Sequence, residues 1–142
     1  MLQALVERDL AVLLPFGEGH PYDLVMQVAE ATFLRIQCKT ARVLNGCLRF
    51  NSRSTDHGNG PGSYVGLADI FGVYCPSTET VYLVPVLEVP RFEVFLRLEP
   101  TRNNQQVGVR DARDYEIKQW TRQALEAVAR GESTRGSLRL IG

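Results

Sequence analysis

Asp23, Gln37 and Lys39 carry the chemistry that this sequence can bring to one place. Residues 32–40 read as a strand, and strand side chains alternate between two faces. Leu34, Ile36 and Cys38 then face one way and suit a core, while Phe33, Arg35, Gln37 and Lys39 face the other. Gln37 and Lys39 stand on one surface about 7 Å apart. In the preceding apolar stretch, Leu24, Met26 and Val28 share one face, and Asp23, Val25 and Gln27 share the opposite one. If the two stretches fold back as a hairpin, a carboxylate, an amide oxygen and an ammonium converge at one sheet end. Carboxylate and amide oxygens are hard ligands suited to Mg²⁺. A water on that ion can become the nucleophile for phosphodiester hydrolysis. A nearby lysine can orient the water or balance charge on the phosphorus centre. The same pattern also describes an exposed polar strand face carrying an Asp–Lys ion pair.

The surroundings of these residues are basic. From Ala31 to Thr55 there is no acidic residue, but Arg35, Lys39, Arg42, Arg49 and Arg53 all fall there. Positive charge beside a metal site suits a phosphate backbone, and arginine or asparagine can also reach base edges. The stretch equally fits a solvated basic strand. Over all 142 residues the formal net charge is zero, which argues against a purely electrostatic nucleic-acid binder. Within that balance the chain has two lysines, Lys39 and Lys118, against fourteen arginines. A hydrophobic content of 44% and this length predict one domain with its own core. Cys38, Cys47 and Cys75 have no metal-type spacing, and three is an odd number, so they read as free thiols in a reducing cytoplasm. No apolar run approaches the length of a membrane span, and no signal-peptide pattern opens the chain.

These residues must be positioned by a mixed sheet. Leu2, Leu5 and Val6 have the spacing of a short helix, and residues 11–14 form an apolar strand stopped by Pro15. Asp23–Ala29 and Thr32–Thr40 predict a hairpin turning at Glu30–Ala31. Further strands are expected at 48–53, 70–75, 80–86 and 92–98. The stretch 51–64, with Gly58, Gly60, Pro61 and Gly62, predicts a mobile surface loop, and 102–109 a polar one. Asp111 or Asp114 is expected to cap one long helix, with Ile117, Trp120, Ala124, Ala127 and Val128 as its apolar stripe and Gly131 beyond its end. The sum is an α/β or α+β domain over residues 1–131, followed by a polar tail over 132–142, where Leu138, Leu140 and Ile141 can pair as a short strand.

The run Pro21-Tyr22-Asp23-Leu24-Val25, followed by Phe33-Leu34-Arg35-Ile36-Gln37-Cys38-Lys39-Thr40-Ala41-Arg42, resembles the core of the PD-(D/E)XK nucleases. The branch it resembles most contains group I intron-encoded homing endonucleases, where glutamine commonly replaces the second acidic residue. The likeness extends through Phe50-Asn51-Ser52-Arg53-Ser54, Val73-Tyr74-Cys75-Pro76, Val81-Tyr82-Leu83-Val84-Pro85 and Leu96-Arg97-Leu98-Glu99-Pro100 with Asn103-Asn104-Gln105. It implies a restriction-endonuclease-like fold, a central mixed sheet flanked by helices, and Mg²⁺-dependent cleavage of double-stranded DNA. It makes Asp23 a metal ligand, puts Gln37 where the second carboxylate would stand, adds the Cys38 carbonyl as a further ligand, and makes Lys39 the motif lysine. DNA contacts are then expected from Arg35, Arg42, Arg49, Asn51 and Arg53, and self-association into a homo-oligomer is implied. Asp69 is placed near the site without an assigned role. One departure stands out: the branch usually carries a Gly-Glu pair in its opening helix, whereas only twenty-two residues precede Asp23 here. Glu7 is the available helical acid, and it lies at the wrong end. A truncated helix is therefore expected, and with it a competing reading as a DNA-binding module impaired in catalysis.

Other candidates are weaker. His20 reads as a loop histidine and His57 as solvent-exposed. The glycines at 58, 60 and 62 do not join a strand to a helix, so they make no phosphate-binding fingerprint. Ser54 and Ser63 lack a His–acid partner for a hydrolase triad. Trp120 belongs to an apolar stripe and reads as core.

Overall fold

The computed structural model describes residues 1–54, 62–99 and 110–132. In chain order these residues form α1 (Leu2–Val6), β1 (Ala11–Leu13), β2 (Leu24–Ala29), β3 (Thr32–Thr40), β4 (Arg42–Leu44), β5 (Cys47–Asn51), β6 (Arg53–Ser54), β7 (Gly62–Ser63), β8 (Ile70–Cys75), β9 (Thr80–Pro85), β10 (Glu93–Arg97) and α2 (Arg122–Ala129). Short 3-10 turns cover Val86–Glu88, Ala112–Tyr115 and Ile117–Gln119. None of the described helices is long and apolar enough to cross a membrane.

The principal sheet has the order β1-β2-β3-β8-β9. All neighbours are antiparallel except β3 and β8, which run parallel with Gln37 opposite Phe71 and Lys39 opposite Val73. It is thus a mixed sheet with few helices, as expected. The β2–β3 hairpin forms as the alternation requires: Leu24, Met26 and Val28 on β2 and Leu34 and Ile36 on β3 are buried. β8 is buried along almost its whole length, which explains its unbroken apolar run. α1 packs on β1, and α2 packs on β2 and β3. Gly72 lies opposite Cys38, and a Cβ there would come within 2.7 Å of Met1 Cε and 2.9 Å of Ile36 Cγ2. Its lack of a side chain lets the start of the chain pack flat on the sheet.

A second, antiparallel sheet has the order β10-β5-β4. Leu48 and Phe50 of β5 and Val94 and Leu96 of β10 point into the core, and Arg49 and Phe95 face outward. β4 was not expected, although its signal is present. Asn45 and Gly46 both have positive φ (51° and 74°), the backbone of a tight two-residue hairpin turn. The strand expected at 48–53 ends at Asn51 because Ser52 turns inward, donating from Oγ to the carbonyls of Pro90 (2.6 Å) and Phe92 (3.0 Å).

Two expectations need correction. The stretch 51–64 is not a loop throughout: Arg53 and Ser54 pair with Ser63 and Gly62 as a two-stranded ribbon, and residues 55–61 lie outside the described ones. The single long helix after Asp111 is instead two 3-10 turns followed by α2. Asp111 caps the first turn by accepting from the Arg113 N–H at 2.9 Å. Glu116 then adopts an extended backbone and bridges to Tyr82 of β9, which interrupts helical bonding. Thr121 restarts it as the N-cap of α2, with its Oγ1 accepting from the Ala124 N–H at 3.0 Å. The apolar stripe is still buried at Trp120, Ala124 and Ala127, so its spacing identified the core face but not the helix. The polar stretch at 102–109 and the tail from 133 onward lie outside the described residues.

Candidate active site

The start of β2 and the second half of β3 build the site. Asp23 immediately precedes β2, and its N–H donates to the Ile36 carbonyl at 2.8 Å. β2 begins at Leu24, paired with Ile36, so the N–H of Cys38 faces the hairpin edge beyond the ladder. Asp23 Oδ2 accepts that N–H at 2.8 Å. The carboxylate is thereby fixed beside the Gln37–Lys39 segment, as the hairpin reading anticipated. Gln37 is half-buried, and its Nε2 donates to the Cys38 carbonyl at 3.4 Å. Lys39 is also half-buried. Its Nζ donates to the Arg53 carbonyl at 3.0 Å and lies 4.8 Å from the centroid of the Tyr64 ring.

Electrostatics ties the cluster together. Burial pulls the Lys39 ammonium below the usual lysine range, and the charge of Asp23 opposes that shift. Burial, then the same carboxylate, pushes the Tyr64 phenol up. The Cys38 thiol is raised to about 11, first by burial and then by Asp23. Its folded value lies above the ordinary 9.0, so the resulting stabilisation is intact below about 9 and is lost as pH rises through about 11. Cys38 is therefore expected to resist iodoacetamide near pH 8 while folded, because the thiolate is the reactive form. Peptide mass spectrometry would read this site by site, and rapid labelling of folded Cys38 near that pH would contradict it.

The donor atoms available for a metal are the Asp23 carboxylate, the Gln37 amide oxygen and the Cys38 carbonyl. All are hard oxygen donors, a chemistry that fits a Mg²⁺-type cation keeping several waters. Among the described residues, no three His, Cys, Asp or Glu side chains group to hold a metal, so Asp23 supplies the carboxylate charge of this set. Glu7 does not join it: it is exposed at the end of α1 and accepts from Gln3 Nε2 at 3.0 Å. His20 Nε2 bonds the Phe16 carbonyl at 3.0 Å, as a loop histidine would.

The basic residues divide by their partners. Arg35 is committed to Asp69, with Nε and a terminal nitrogen each 3.1 Å from a carboxylate oxygen. The Arg35 backbone N–H also donates to Asp69 at 2.7 Å. Asp23 and Asp69 thus take β3 backbone N–H groups on its two opposite edges. Beside this pair opens a cavity of about 590 Å³, bounded by Arg35, Asp69, Leu87 and Arg110 but not by Asp23, Gln37 or Lys39. Arg42 is exposed on β4 and lies directly across from Arg49, which pairs with Glu93. Asn51 Oδ1 accepts from the Arg53 N–H at 2.8 Å, and the Arg53 guanidinium sits 4.3 Å from the Phe92 ring centroid. Tyr64 and the Arg53 carbonyl, the partners of Lys39, are not marked by any motif of the sequence. A lone aromatic closing a glycine-rich stretch was the available signal.

Comparison with known proteins bears on the family and the fold. The sequence model of the family described as PD-(D/E)XK endonuclease matches residues 1–118. Among solved structures, a bacterial homing endonuclease, I-Ssp6803I, superposes with a TM-score of 0.62 at 23% identity, over 93% of this chain and 90% of that one. No curated protein matches the chain.

Proposed function

The chain belongs to the PD-(D/E)XK endonuclease family, and from that premise we propose that it hydrolyses phosphodiester bonds of double-stranded DNA with Mg²⁺, in the manner of a homing endonuclease. One observation carries this reading: the Asp23 carboxylate, held 2.8 Å from the Cys38 N–H, stands beside Gln37 and Lys39 at one end of the β2–β3 hairpin. Asp23, Gln37 and the Cys38 carbonyl would hold the ion. Bound there, Mg²⁺ supplies Lewis acidity and a water of lowered pKa. Lys39 contributes a fixed positive charge where negative charge develops on the scissile phosphate. Arg42, Arg49 and Arg53 lie on the strands that follow the motif and supply phosphate contacts, with Asn51 beside them. Arg35 orders the site through Asp69 and reaches DNA only at the cost of that ion pair. Self-association belongs to the same reading, because Leu13, Leu14 and Phe16 leave an exposed apolar rim along edge strand β1. The three free cysteines suit a cytoplasmic enzyme.

The test is cleavage of plasmid and oligonucleotide pools with Mg²⁺, compared with a chelator and with Lys39→Ala. Wild-type cleavage should vanish on chelation and fall roughly a hundredfold or more in the variant. Cleavage that survives both would sink the proposal. Salt-sensitive binding without cleavage in any divalent metal would instead mark the chain as a DNA-binding module.

A further inference from the structure

A lysine acting on a phosphate must hold its ammonium in place, yet its side chain is among the most flexible. Lys39 is braced from two sides. The Arg53 carbonyl accepts one N–H at 3.0 Å, and the face of the Tyr64 ring lies 4.8 Å away. Both braces come from the β6–β7 ribbon, where Arg53 pairs with Ser63 and Tyr64 follows directly.

The Tyr64 ring is itself fixed. The residue is 4% exposed, and its ring meets Phe71 edge-on at 5.6 Å and 89°. Phe71 in turn packs against Phe50 at 5.6 Å and stands opposite Gln37 on β8. The Tyr64 carbonyl accepts from the N–H groups of Leu67 and Ala68, both at 2.9 Å, which locks the backbone below the ring. The aromatic row thus runs from the second sheet, through β8, to the ammonium of Lys39. A cation over an electron-rich ring face is attracted by the ring quadrupole, and more strongly where water is excluded.

We infer that Tyr64 is a positioning residue for cleavage, its ring face and the Arg53 carbonyl together setting where the Lys39 ammonium stands. This rests on the reading of Lys39 as the catalytic lysine. The contact uses the ring face, so the hydroxyl is dispensable and the ring electrons are not.

The test compares Tyr64→Phe with Tyr64→trifluorophenylalanine, which keeps the ring shape but removes its negative face, and with Tyr64→Leu. Expected for Tyr64→Phe is a kcat within about twofold of wild type. The other two should lower kcat by about tenfold while KM stays within about twofold. Equal melting temperatures for the two aromatic variants would establish that packing is preserved. A trifluorinated enzyme that cleaves as fast as Tyr64→Phe would overturn the inference, since the ring would then only fill space.

A second measurement needs no activity. With two lysines in the chain, lysine-selective ¹³C labelling gives two side-chain spin systems. The Lys39 Hε resonances should be shifted upfield by the ring current in wild type and Tyr64→Phe, and return to an ordinary position in Tyr64→Leu. Lys118, whose side chain is 72% exposed, should not move. Unshifted Lys39 resonances in the wild type would overturn the contact. Absence of cleavage by the wild type would sink the catalytic reading alone, and the lysine spectrum would still decide the contact.

Discussion

Asp23→Asn and Asp23→Ala should each lower cleavage roughly a thousandfold, the scale expected when a metal ligand or a comparable transition-state contact is removed. The two variants separate chemistry from architecture. Asparagine keeps an oxygen that can accept the Cys38 N–H, so the hairpin end stays closed, while the negative charge is gone. Alanine removes both. Because Asp23 is exposed, water can replace the lost acceptor, and the stability cost of either change should stay within about 1 kcal/mol. Near-equal melting temperatures, near-equal DNA affinity and loss of turnover in both variants are the expected result. Activity retained in Asp23→Asn would show that the carboxylate only caps the hairpin.

The largest stability effect is expected at Phe71→Ala. Phe71 is 1% exposed and packs edge-on against both Phe50 and Tyr64. Truncating a buried phenylalanine costs about 3–5 kcal/mol, from lost apolar burial and from the cavity left behind. A domain of this kind has about 5–15 kcal/mol of stability in total, so the change removes a large share of it. The urea midpoint should fall by roughly 2 M. The ring that braces Lys39 also loses its edge partner, so kcat in the fraction that remains folded should fall as well. A loss below about 1 kcal/mol would mean that Phe50 and Tyr64 close the gap, and that the aromatic row is not a rigid support.

The legible parts of the fold were those encoded over a few residues. The β2–β3 hairpin follows from alternation at Leu24–Val28 and Leu34–Cys38, and the structure keeps both registers of burial. The β4–β5 hairpin was equally local, with Asn45-Gly46 at its turn, but three exposed residues in β4 left no apolar alternation to point to it. The C-terminal helix shows the opposite failure. Ile117, Trp120, Ala124 and Ala127 have helical spacing, yet a 3-10 turn, the extended Trp120 and then α2, wrapped around the same core, present nearly the same stripe. The Glu116–Tyr82 bridge that breaks the helix joins residues far apart in the chain.

The site divides along the same line. That Gln37 and Lys39 share a face, with Asp23 in reach, follows from strand alternation and a tight hairpin, which are properties of one continuous backbone segment. The hold of Asp69 on Arg35, thirty-four residues away, and the seat of Lys39 between the Arg53 carbonyl and Tyr64 arise from long-range packing. Those contacts depend on the parallel register of β3 with β8 and on the pairing of β6 with β7. Phe50, Tyr64 and Phe71 come from three separate segments and meet in one buried core, a fit of area and shape that no short stretch of sequence contains.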